Sequence, residues 1–389
     1  MTELVGIAWD HPRGVAGLRA VQDRLAAELG TTVRWETHSL ADFSAASIAD
    51  VAARYDLVVY DHPFVGDIAA DNLMVDLTRY LSPDRVTAFR DDAVGHGIDL
   101  FTRDDRLWGL PIDAAVQVAA FRPDLCARVG LDADSLARAP FEDIVDRLNG
   151  AGFRLATSFS GVGSIMVFFT LCNQLGAPPF ATEGEMVPRA IGERAIDVMR
   201  RLLEVSPPEI LDWESIAALE AMARRDDLAW CPCVFGFSAY AMDGYGDADW
   251  RRPLAFTAGP VPPGGVRAEG IIGGAGVGVS SRCAAPEAAV AYVARLFDAD
   301  IQRAMGLALA QPGRRSVWQD TSLNAASRDF YANTLQVMDG GYIRPRWRGW
   351  VPRQDAAGDC LEAHLRQGTP AGRVLDDLHA IFFNGAGPT

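Results

Sequence analysis

Between residues 3 and 61 the chain alternates strand, helix and strand, and this alternation narrows the fold more than any other feature. "ELVGIAW" (3–9) is an apolar run of strand length. "GVAGLRAVQDRLAAELG" (14–30) follows, with Leu18, Val21, Leu25 and Leu29 at helical spacing and Gly30 as the stop. "TTVRWETHSL" (31–40) is a β-rich bridge, "SAASIADVAARY" (45–56) a short helix and "DLVVYD" (56–61) a second buried strand. A β-α-β unit implies parallel strands with a right-handed crossover, covered by helices. The spacing therefore predicts an α/β protein, and 389 residues leave room for two domains.

The same punctuation ends both strands. Asp10-His11-Pro12 follows the first and Asp61-His62-Pro63 ends the second. Ligands of open parallel sheets gather at the carboxyl ends of strands, so Asp10, His11, Asp61 and His62 are expected at one rim. As a turn, Asp and Pro simply redirect the chain. As a site, paired carboxylates and imidazoles bind hydroxyls, or serve as general acid and base in an enzyme. Neighbouring Asp and His side chains diverge, so no metal is expected there. Arg13 opens the first helix and is placed to clamp an anionic group. Trp9, Phe64, Trp230, Phe235, Phe237 and Tyr240 are candidate aromatic walls, which stack on flat or apolar faces. Strand alternation predicts that one of Phe235 and Phe237 belongs to the core.

Composition removes several function classes. A net charge of −15 repels nucleic acid, so no nucleic-acid partner is expected. No apolar run reaches the roughly 18 residues of a membrane span. Cys231 and Cys233 alone do not make a zinc site. "GGAGVG" (273–278) is not followed cleanly by a helix, which argues against a dinucleotide loop, and "GFSAYA" (236–241) is not a nucleophile elbow. No cofactor is predicted. "MTELVGIAW" carries no leader pattern, which predicts a cytoplasmic protein, or a periplasmic or extracellular one if a leader has been removed.

Four stretches occur in a recognisable order: "WGLPIDAAVQVAAFRPDL" (108–125), "EGIIGGAGVGVSSRCAAPEAAVAYVARLFDADIQRAMGL" (269–307), "QPGRRSVWQD" (311–320) and "RPRWRGWVPRQDAAGDCLEAHLRQGTPAGRVLDDL" (344–378). Together they resemble the extracellular solute-binding proteins, family 1, of ABC importers. The resemblance implies a bilobal type II periplasmic-binding fold with two mostly parallel, helix-flanked sheets. One lobe would hold residues 1–111 and 269–325, the other 116–265 with the C-terminal helices of 326–389. Hinges would lie near 112–116 and 264–269. A small polar ligand, carbohydrate-like or an organic acid, would bind between lobes that close on it, and the partner would be an ABC permease. Asp113, in the first crossing, becomes a cleft candidate. The family often carries an aromatic just after the Gly-Gly pair, where this chain has Ala275 and Gly276. The alternative expectation is a cytoplasmic enzyme on the same fold, using His11, His62, Asp10 and Asp61.

Overall fold

A computed structural model describes residues 2–39, 43, 46–243, 245 and 252–383. The first sheet is built from β1 (Thr2–Trp9), β2 (Thr31–His38), β3 (Leu57–Asp61), β6 (Leu110–Pro111) and β12 (Ala275–Val279), in the order β2-β1-β3-β12-β6. A small hairpin, β4 (Thr102–Arg103) and β5 (Arg106–Leu107), stands apart. The second sheet runs β10-β7-β9-β8, from β7 (Ala115–Phe121), β8 (Arg154–Leu155), β9 (Leu228–Phe235) and β10 (Ala255–Thr257). β11 (Ile272–Gly273) also pairs with β7.

The expected pair of helix-flanked sheets is present, and β1 pairs with β3 in parallel as predicted. The bridge 31–40 is itself a strand on the other side of β1. Parallel pairing is less extensive than expected. It joins β1 to β2, β1 to β3 and β8 to β9, while β7 and β12 pair antiparallel with every neighbour. The cause is topological. β1, β3, β6, β9 and β11 run toward the gap between the sheets. β7 and β12 start at that gap, having just crossed it, and run outward.

The chain passes from β6 to β7 at residues 112–114 and back from β11 to β12 at Gly274. Residues 264–269, expected as the second crossing, precede β11. Gly274 has a φ of +109°, and an added Cβ there would collide with the Asp113 carbonyl oxygen, so only glycine fits where the two crossings touch. The crossings are tied by Asp113 N–H to Ala275 O and Ala275 N–H to Asp113 O, both 3.0 Å.

Helices Gly17–Leu29 and Pro286–Leu296 cover the first sheet, and Ala299–Leu307 packs on Gly17–Leu29. The apolar segment 163–176 forms the helix Val162–Gln174, with every residue from Ser164 onward buried. Helices Trp350–Gln367 and Ala371–Phe383 pack around it, and Trp350 stacks on Phe382 at 5.3 Å. Cys126, Cys172, Cys231, Cys233 and Cys283 are buried free thiols. No helix among the described residues is long and apolar enough to cross a membrane.

Candidate functional site

A cavity of about 480 Å³ lies where the strand ends of both sheets meet the two crossings. From the first sheet it takes Trp9, Arg13, Asp61 and Phe64; from the crossings, Asp113, Ala115 and Gly273 to Ala275. Phe43, Ser158, Ser160 to Gly163, Glu214 to Ile216, Phe235, Phe237, Arg344, Val351 and Gln354 also contribute to the wall.

Arg13 comes from the π-helical turn Pro12–Ala16 that leads into the first long helix. It is buried, and it does not wait for an anion. Its Nε donates to Asp113 Oδ1 at 2.6 Å, its Nη2 to Asp113 Oδ2 at 2.7 Å and its Nη1 to Gly236 O at 3.1 Å. The guanidinium also lies 4.3 Å over the Phe237 ring. Burial pushes the Asp113 carboxyl up, against the pull of Arg13.

A second pair faces the same cavity. Arg344 Nη2 donates to Asp61 at 2.9 and 3.2 Å, and Arg344 Nη1 donates to Gln354 Oε1 at 2.7 Å. Trp350 Nε1 donates to the same Gln354 oxygen at 3.0 Å and so fixes the amide. Burial acts to raise the Asp61 carboxyl, but the Arg344 guanidinium outweighs it and holds the group well below the usual carboxylate range. Glu214 is committed too: its carboxylate accepts from the N–H groups of Ile216 and Ala217, both at 2.8 Å, and caps the helix Ser215–Arg224.

Six predicted residues therefore meet in one wall: Trp9, Arg13, Asp61, Phe64, Asp113 and Phe235. Phe237 also lines the cavity, although, as expected of one of Phe235 and Phe237, it is buried in the core while Phe235 is only partly buried. β9 ends at Phe235 and the chain turns at Gly236, so strand alternation does not continue to Phe237.

Five others do not line the cavity. Asp10 is exposed, with its N–H donating to His38 O at 2.7 Å. His11 turns back into its own turn, where Nδ1 accepts from Arg13 N–H at 3.1 Å and Nε2 lies 3.0 Å from Tyr245 Oη. His62 is fully buried under the helix Trp350–Gln367. Its Nδ1 is 3.1 Å from Asp61 Oδ1 but out of hydrogen-bond alignment. Burial and the Arg344 charge lower His62 to about 4, so it is neutral at pH 7. Trp230 sits mid-strand in the core beside Phe141, at 5.8 Å. Tyr240 lies behind Phe237 and donates to Glu220 Oε1 at 2.8 Å. The paired-histidine site expected of an enzyme is thus not assembled in the cavity.

The polar wall residues not predicted include Ser158 and Ser160, Glu214, Arg344 and Gln354. Ser158 to Gly163 follow β8, so the strand-end rule applied to the strand 153–159 would have found them. The segment 158–160 is held against the loop before Glu214 by Phe159 N–H to Ile210 O and Ser160 N–H to Trp213 O, both 3.1 Å. Glu214 carried no sequence signal. Arg344 and Gln354 belong to the "RPRWRGWVPRQ" segment, which entered only as part of the family resemblance.

No family model matches the chain. A probable amino-acid ABC transporter periplasmic-binding protein of Sinorhizobium fredii is 25% identical over 248 residues, 60% of this chain and 54% of that protein. The chain thus spans about half the length of that curated relative. Among solved structures, maltose-bound MalE3 of T. maritima superposes with a TM-score of 0.81 at 16% identity, covering 97% of this chain and 98% of that one. An ABC transporter solute-binding protein of Agrobacterium radiobacter K84, in complex with ribitol, superposes at 0.79 with 20% identity, covering 97% of each chain. One from Agrobacterium vitis S4 with bound D-mannitol superposes at 0.76 with 14% identity, covering 98% of this chain and 97% of that one. At these identities the likeness is one of fold: the chain has the bilobal periplasmic-binding-protein fold, with its cavity between the two sheets.

Proposed function

We propose that this protein is the solute-binding component of an ABC importer, and that its lobes close on a small, uncharged, hydroxyl-rich solute. The observation that carries the reading is the charge balance of the cavity wall. Arg13 is matched by Asp113, Arg344 by Asp61, and the Glu214 carboxylate is spent on backbone amides. A charged solute would have to break one of these buried pairs, at a cost of several kcal/mol, on the order of 3–5. A hydroxyl needs no such exchange, because it donates to a remaining carboxylate lone pair or accepts from a donor without disturbing the pair. The rings of Trp9, Phe43, Phe64, Phe235 and Phe237 offer faces for the solute's C–H surface. The volume is in the range of small-molecule sites.

The solved relatives support the class of solute, since those named above were crystallised with maltose, ribitol and D-mannitol. In this reading the crossings at 112–114 and Gly274 are the hinges. Residues 1–111 with 275–325 form one lobe, and 115–273 with the helices from 326 onward form the other. The partner is an ABC permease, and the working site is on the outer side of the cytoplasmic membrane.

The test is a thermal-shift screen of ribitol, D-mannitol, D-tagatose, maltose, organic acids and amino acids, with mass spectrometry of each solute after incubation. The reading expects a neutral polyol or sugar to raise Tm and to be recovered unchanged. Stabilisation by acids alone, or recovery of an altered solute, would overturn it.

A further inference from the structure

Two buried polar groups of the cavity wall have no hydrogen-bond partner among the described residues: Ser158 Oγ and Arg344 Nε. Ser158 is 1% exposed and Arg344 4% exposed. Folded interiors pair nearly all such groups, so two exceptions in one wall call for a physical reason. The rest of Arg344 is committed to Asp61 and Gln354, which fixes the direction of its Nε–H. Ser158 keeps its hydroxyl against Gly163, in the first turn of the helix Val162–Gln174, where an added Cβ would collide with it. Glycine at 163 therefore preserves the space that an unbonded hydroxyl occupies.

The segments that carry the two groups pack against each other. Gly358, in the helix Trp350–Gln367, is packed so closely on Gly161 and Val162 that a Cβ would lie 2.6 Å from the Gly161 carbonyl. Ser164 Oγ bonds both Gly161 O and Gly358 O, at 2.8 and 2.9 Å. Gln354, one turn before Gly358, accepts from Arg344.

We infer that Ser158 and Arg344 are specificity-determining donors, which place a hydrogen-bond-accepting oxygen at one end of the solute. The inference rests on the solute-binding reading above and adds an orientation to it. Asp61, bonded to Arg344, supplies an acceptor beside it, and Asp113 supplies another beside Arg13. The oxygen is a neutral hydroxyl or carbonyl. Asp61 already balances Arg344, and Glu362 Oε2 already takes the Gly161 N–H at 2.6 Å, so a carboxylate here would meet carboxylates with the nearby cation spent.

The experiment is calorimetric titration of wild type, Ser158→Ala, Gly163→Ala and Arg344→Lys with ribitol, D-mannitol, D-tagatose and maltose. For the tightest-binding solute, Ser158→Ala should weaken binding roughly fivefold to tenfold while Tm stays unchanged, because the hydroxyl has no partner to lose in the empty protein. Gly163→Ala should weaken binding as well, but with a lower Tm, because the added Cβ also meets the Ser158 carbonyl oxygen at 2.9 Å. Arg344→Lys keeps a cation for Asp61 but lacks the Nε–H, and should weaken binding about as much. One member of a mono-deoxy series of the solute should bind wild type and Ser158→Ala equally. Undiminished binding by Ser158→Ala, or a loss accompanied by an equal drop in Tm, overturns the inference and leaves solute binding intact. Failure of all four solutes on wild type overturns both.

Discussion

Arg13 and Asp113 meet in two parallel hydrogen bonds of 2.6 and 2.7 Å, although they belong to different parts of the fold. Arg13 stands at the end of the first strand, and Asp113 in the first crossing. The third Arg13 bond, to Gly236 O, reaches the cleft end of the second sheet. One side chain thus spans the first sheet, the crossing and the second sheet at the back of the cavity.

Removing one member of this pair should cost far more than the pair contributes. Asp113→Asn leaves a buried guanidinium uncompensated, and the free energy of unfolding in urea should fall by about 3–5 kcal/mol. The double variant Arg13→Met, Asp113→Leu should lose less than the sum of the single losses, because neither partner remains to be left unpaired. Additive losses would show that the two side chains do not act as a pair.

Acid should destabilise the protein through His62. Its folded value, about 4, lies below the ordinary 6.5, because burial and Arg344 disfavour the imidazolium. The unfolded state therefore binds the proton first. Stability held above pH 6.5 is lost as pH falls toward 4, by about 3 kcal/mol in all. Asp61, held low in the folded state, adds a further loss below the ordinary carboxylate range. Thermal unfolding between pH 7 and 4 should show the first slope in wild type and a flatter profile in His62→Met.

Gly274→Ala tests the point where the crossings touch. The position needs φ of +109°, and a methyl group there meets the Asp113 carbonyl. A loss of about 1–3 kcal/mol is expected from strain, together with weaker binding, since the same segment lines the cavity. Unchanged urea unfolding would contradict the strained crossing.

Phe235→Leu keeps an apolar side chain on the wall but removes the ring face. Affinity for a sugar or polyol should fall by about 0.5–1.5 kcal/mol, twofold to tenfold, while Tm moves by only a few degrees. Equal affinities in a titration would remove Phe235 from the contact surface.

The legible part of this protein was its strand ends. Periodicity located β1 and β3, and the rule that ligands collect at the carboxyl ends of strands pointed to Trp9, Arg13, Asp61 and Phe64, which line the cavity. The same rule overreached with His11 and His62, because position along a strand does not decide where a side chain turns. His11 is drawn back to its own turn by the Arg13 N–H, and His62 is covered by a helix that begins nearly 290 residues later. Trp230 looked like a cavity aromatic but sits mid-strand, far from the end that counts. Arg344, Gln354 and Glu214 were not legible at all, since they reach the cavity through long-range packing. The extent of parallel pairing was misjudged for a related reason: a strand that has just crossed between sheets enters the second one from its cleft end.

The most direct test of solute capture in this cavity is calorimetric titration of a neutral polyol or sugar into wild type and into Ser215→Trp, which fills the wall from a partly exposed position. Saturable one-to-one binding to wild type, abolished in a Ser215→Trp protein that remains folded, is the predicted result. Equal binding to both proteins would place the solute elsewhere and contradict the account.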